Sequence, residues 1–105
     1  MITRAKTNTL IFDQNGVQGK RIGLHLGCEY VRLELAPGKI IAKHVLDVPV
    51  VFYVLEGSGT VLLDGEQIIA NHGDMLFVQA GANRGWENTS DHELTILVIK
   101  YLDSR

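Results

Sequence analysis

GTVLLDGEQIIA, residues 59–70, reads as two short apolar segments folded back on an Asp64-Gly65 turn. Asp-Gly between alternating apolar runs marks a two-residue hairpin, because both turn residues accept the positive φ that matches the twist of paired antiparallel strands. In that register Val61 and Ile68 face each other. Working outward, β-branched segments of strand length recur at 9–13 (TLIFD), 30–36 (YVRLELA), 50–56 (VVFYVLE), 74–80 (DMLFVQA) and 93–102 (ELTILVIKYL). The junctions carry Asn15-Gly16, Pro37-Gly38, Gly57-Ser58-Gly59, Asn71-His72-Gly73 and Gly81-Ala82-Asn83, residue types that supply the backbone angles of tight turns. No window of helical length carries a helical apolar period, so the predicted fold class is all-β, a small antiparallel barrel or sandwich. The last segment should be tied into the sheet, leaving Asp103 to Arg105 as a free tail.

The 105 residues, 46% of them hydrophobic, suffice for one core and are too few for two, so a single domain over residues 1–105 is expected. Charge is nearly balanced, 10 Lys and Arg against 12 Asp and Glu, with no run of either sign. Nucleic acid and membrane surfaces are therefore poor partners. Cys28 is the one cysteine, which excludes an intrachain disulfide, a cysteine zinc cluster and a CxxC redox pair. With no Cys-His-Asp arrangement to activate it, Cys28 reads as a structural thiol. The opening residues lack a signal-peptide pattern, and no apolar stretch reaches the roughly 20 residues that span a bilayer. A soluble, cytoplasmic protein is the expectation.

Residues 37–88 carry two spaced patterns, GKIIAKHVLDVPVVFYVLEG and GDMLFVQAGANRGWEN. Together they resemble the motifs of the cupin family. In the first, Gly38, His44 and Gly57 match, while Leu46 stands where a second histidine would be and Val50 where a glutamate would be. In the second, Gly73, Gly81 and Asn88 match, Gln79 replaces a proline, and Arg84 stands at the remaining histidine position. The resemblance implies a small cupin-type β-barrel or jelly roll whose interior would ordinarily hold a divalent transition metal on three imidazoles and a carboxylate. His44 is the only matching family ligand, and tight catalytic sites use about three protein ligands. No metal cofactor is therefore expected. Arg84 reinforces this, since a guanidinium has no lone pair to give and repels a cation.

An arginine in such a pocket can hold a carboxylate or phosphate through paired N–H donors. The candidate ligand-binding residues are His44 and Arg84 with Trp86, which offers a stacking face, and Leu46, Val50 and Phe52, which strand alternation would bring to the pocket floor. The plainer alternatives are ordinary core for the apolar three, one satisfied hydrogen bond for His44, and for Arg84 an outward turn or an ion pair with Asp47 or Glu87. His25, His72 and His92 lie in separate segments and read as surface residues. The favoured function is a small-molecule-binding barrel without the usual metal, taking an anionic or sugar-like ligand. The alternative is a metal-dependent cupin enzyme of the isomerase, epimerase or dioxygenase type, completing its site with residues such as His72 or Glu56, an analogy of fold alone. A homodimer formed through edge strands is compatible with either.

Overall fold

In the computed structural model, which describes residues 1–103, Asp64 (φ 47°) and Gly65 (φ 86°) both take the left-handed backbone the turn requires. Val61 pairs with Ile68 across that hairpin, as the Asp-Gly spacing predicts. Two further two-residue hairpins use the same device. Asn15 and Gly16 have φ of 54° and 78°, and Leu26 and Gly27 have φ of 52° and 73°. A leucine in left-handed backbone is unusual, and Leu26 is exposed, so the turn is made without burying it.

The strands are β1 (Thr9–Gln14), β2 (Val17–His25), β3 (Cys28–Leu35), β4 (Ile40–Val45), β5 (Val50–Glu56), β6 (Ser58–Leu63), β7 (Glu66–Asn71), β8 (Met75–Val78), β9 (Asn83–Glu87) and β10 (Leu94–Tyr101). Apart from one 3-10 turn at Ala5–Thr7, the described residues hold no helix. The sequence-predicted segments all fall on strands. β2, β4 and β9 were not legible, because glycines and charges interrupt their alternation.

All pairings are antiparallel and form two sheets, β1-β2-β3-β10-β5-β8 and β4-β9-β6-β7. The last strand, β10, lies between β3 and β5, so the C-terminal segment is central to the larger sheet. Of the expected free tail, Asp103 is described and exposed. The backbone N–H of Leu102 donates to the Gly27 carbonyl at 2.9 Å, and Asp103 lies against Gly27; Ser104 and Arg105 fall outside the described residues.

The sheets face each other across a core of alternate residues. On β5, Val50, Phe52 and Val54 are buried while Tyr53 between them is exposed, the period-two pattern of a half-buried strand. They pack with Leu35, Val61, Trp86, Leu94, Ile96 and Val98. The connection from β9 to β10 is held by buried Asn88. Its side-chain amide donates to the carbonyls of Leu35 at 3.0 Å and His92 at 2.8 Å, and its Oδ1 accepts from the Ser90 hydroxyl at 2.8 Å. The motif asparagine is thus a structural knot between the two sheets.

Candidate functional site: a cationic cavity between the sheets

A cavity of about 260 Å³ lies between the sheets on the side where β1 and β4 are the edge strands. Ordinary ligand pockets span about 300–1,000 Å³, so this one lies just below that range and has room only for a small molecule. Its wall is almost wholly apolar, with Phe12, Val17, Leu33, Ile41 and Val98 among its side chains. Among the described residues the ionisable side chains on it are His44, Arg84 and Lys100, and no Asp, Glu, Asn, Gln, Ser or Thr lines it.

Of the residues singled out from the sequence, His44, Leu46, Phe52, Arg84 and Trp86 line this cavity. Val50 does not; it is fully buried in the core. Lys100 was not among them, and it enters because β10 is central to the sheet. Lys100 Nζ lies 3.5 Å from Glu29, whose other carboxylate oxygen accepts from Arg21 Nε at 2.9 Å. Burial alone would raise the Glu29 pKa, but the Arg21 hydrogen bond and the charges of Lys100 and Arg21 outweigh it and hold the carboxyl below its ordinary range.

Arg84 has no such partner. The residue is 2% exposed, its Nε and Nη1 meet no hydrogen-bond acceptor, and none of the ion pairs among the described residues includes it. Neither Asp47 nor Glu87 neutralises it. Burial accordingly pushes the guanidinium below its usual pKa, although arginine stays charged in proteins. A buried charge without a counter-charge is costly, which makes this side chain unusual in a folded domain.

His44 stands opposite Arg84 because of a bulge. Ile41 pairs with Trp86 and His44 with Arg84, so three steps on β4 match two on β9. In an unbroken ladder Lys43 would occupy the place beside Arg84. The extra residue is accommodated by Gly85, where a Cβ would lie 2.7 Å from the Ile41 carbonyl oxygen and 3.0 Å from the Lys43 nitrogen. Any side chain there would push β4 away. The His44 ring contacts the Ala42 carbonyl through Nδ1 at 3.1 Å. Since a carbonyl only accepts, Nδ1 carries the proton and a neutral ring leaves its lone pair on Nε2.

The residues do not fit the transition metal that such barrels commonly hold. His44 offers one nitrogen, and the group facing it is a buried cation rather than a second donor. His72, in the turn after β7, and Glu56, at the end of β5, are exposed and do not line the cavity. His25 and His92 are likewise exposed. Among the described residues no three His, Cys, Asp or Glu side chains are grouped to hold a metal ion. No helix of the described residues is long and apolar enough to cross a membrane.

Comparison with known proteins follows the same lines. The sequence pattern of the family described as "Cupin domain" matches residues 31–100. Among curated proteins, 1-hydroxy-2-naphthoate 1,2-dioxygenase of Nocardioides sp. (strain KP7) is 35% identical over 63 residues, covering 60% of this chain and 16% of that protein. Among solved structures, a predicted oxalate decarboxylase from Thermotoga maritima superposes with a TM-score of 0.85 at 23% identity, covering 97% of this chain and 99% of the other. The KdgF protein from Halomonas sp. gives 0.82 at 18% identity, covering 96% and 93%. At these identities the structural likeness is one of fold.

Proposed function

This chain belongs to the cupin domain family, and we propose that it uses the barrel to bind a small, largely apolar organic anion whose carboxylate is held by Arg84. The observation that carries this reading is the Arg84 guanidinium, buried beside an apolar cavity with Nε and Nη1 unpartnered and no carboxylate on the wall. A bound carboxylate would supply the missing counter-charge and accept two parallel hydrogen bonds. A sugar is the poorer candidate. Its hydroxyls need several acceptors, and among the described residues the only side chain on the wall that could accept is the His44 ring. The dioxygenase that resembles part of this chain is named for a hydroxynaphthoate, itself an apolar ring bearing a carboxylate.

Benzoate and benzamide share a shape and differ in charge. Titrated against the protein by calorimetry, benzoate should bind and benzamide should bind at least about tenfold more weakly, a difference of ~1.4 kcal/mol. Equal affinities, or binding that survives Arg84→Gln, would count against the anion site.

The same similarity to a dioxygenase favours a second reading, a metal-dependent enzyme. Elemental analysis of protein purified without a histidine tag discriminates the two. One equivalent of transition metal per chain would favour the enzyme, and a small fraction of that the metal-free binder. The working unit is taken as a homodimer, with edge strand β8 as the contact, since Met75 and Phe77 are exposed there beside exposed Tyr53 of β5. Sedimentation equilibrium of Phe77→Asp against the wild type tests it.

A further inference from the structure

The two sheets leave two open seams, one between edge strands β1 and β4 and one between edge strands β8 and β7. The Arg84 cavity lies toward the first. A second cavity of about 220 Å³ lies toward the other, with Val54, Ile68, Ala70 and Leu76 on its wall. Among the described residues, Phe52 and Trp86 alone line both cavities, so this aromatic pair faces each compartment. Their rings meet edge to face, with centroids 5.4 Å apart and planes at 84°, a favourable arrangement for two aromatic rings.

We propose that the Phe52–Trp86 pair is the specificity determinant for ligand length: it ends the Arg84 compartment and keeps the longer tail of an otherwise suitable acid out of the second cavity. This rests on the anion-binding reading. Trp86 is the fixed half of the wall. A Cβ on Gly59 would lie 3.3 Å from the Trp86 ring and 2.5 Å from Leu94, so the indole is backed by closely packed chain on that side. Phe52 is the half that truncation removes. Each cavity alone falls below the lower end of ordinary ligand pockets, about 300 Å³. Joined through the place of the Phe52 ring, they form one slot from the Arg84 guanidinium to the β7–β8 seam.

The test is calorimetric titration of the straight-chain acids from butanoate to decanoate against wild type, Phe52→Ala and Phe52→Leu. In the wild type, affinity should rise about fourfold per methylene, the equivalent of ~0.8 kcal/mol, up to a break. Beyond the break it should fall about tenfold or more with the next methylenes. Phe52→Ala should carry the rise past the break. Phe52→Leu, which keeps more of the core volume and is the safer variant for folding, should move the break by at least one methylene. Quenching of Trp86 fluorescence, the protein's one tryptophan, gives an independent reading of the same series. Binding with no break, or a break at the same length in wild type and Phe52→Leu, overturns the length limit and leaves the anion site standing. Binding of no acid by the wild type removes the anion site and the limit with it.

Discussion

Arg84→Met removes the guanidinium while keeping most of the buried stem on β9, which lies between β4 and β6 in the smaller sheet. In most proteins truncating a buried arginine destabilises the fold, because a partner charge is stranded. Here no partner exists among the described residues, so the sign should reverse. Exchanging buried ionic groups for apolar ones of similar volume gains about 1–4 kcal/mol where the charges are poorly compensated. The lower half of that range applies, since the cavity beside Arg84 opens toward the β1–β4 seam. A gain of about 1–2 kcal/mol should raise Tm by roughly 4 °C or more in a domain of this size. Thermal unfolding followed by circular dichroism, without ligand and with benzoate at saturation, reads both halves of the prediction. Wild type should gain about 2.7 kcal/mol at a ligand concentration one hundred times Kd, and the variant nothing. A ligand-free variant that melts several degrees below wild type would refute the premise that the guanidinium lacks a counter-group.

The remaining predictions concern the scaffold. Gly65→Ala meets nothing within 4 Å and suffers only the strain of φ 86°, about 1–2 kcal/mol. Gly57→Ala at φ 80° would also set its Cβ 2.5 Å from the Glu93 carbonyl, and should cost at least ~1 kcal/mol more; equal urea midpoints would contradict this. Asn88→Ala removes the amide donor to the carbonyls of Leu35 and His92 and the acceptor of the Ser90 N–H and hydroxyl and should lower stability by about 2–3 kcal/mol in the same assay. Glu29 is held below its ordinary pKa in the folded chain, so the native state binds fewer protons than the unfolded one. Its contribution is fully present above the unfolded value, roughly pH 4, and is lost as the pH falls through the folded value. Glu29→Gln should flatten the acid side of the stability profile, and an unchanged profile would show that other carboxylates govern it.

Hairpin chemistry and strand alternation are local properties, and they were legible. Asp64-Gly65 determined a turn, a register and the Val61–Ile68 pair because the backbone angles of two adjacent residues decide all three. The spacing of Gly38, His44 and Gly57, and of Gly73, Gly81 and Asn88, carried the family. It also placed His44, Arg84, Trp86, Leu46 and Phe52 around one cavity. What the sequence could not carry was anything settled by pairing between distant strands. The bulge opposite Gly85 sets His44 rather than Lys43 beside Arg84, and no alternation rule foresees an extra residue. Lys100 came onto the cavity wall because β10 inserts between β3 and β5, while Val50 is buried in the core beside it. Above all, whether Arg84 met a carboxylate depended on which side chains face it across the sheets. That is decided by packing, and packing left its charge buried and unanswered.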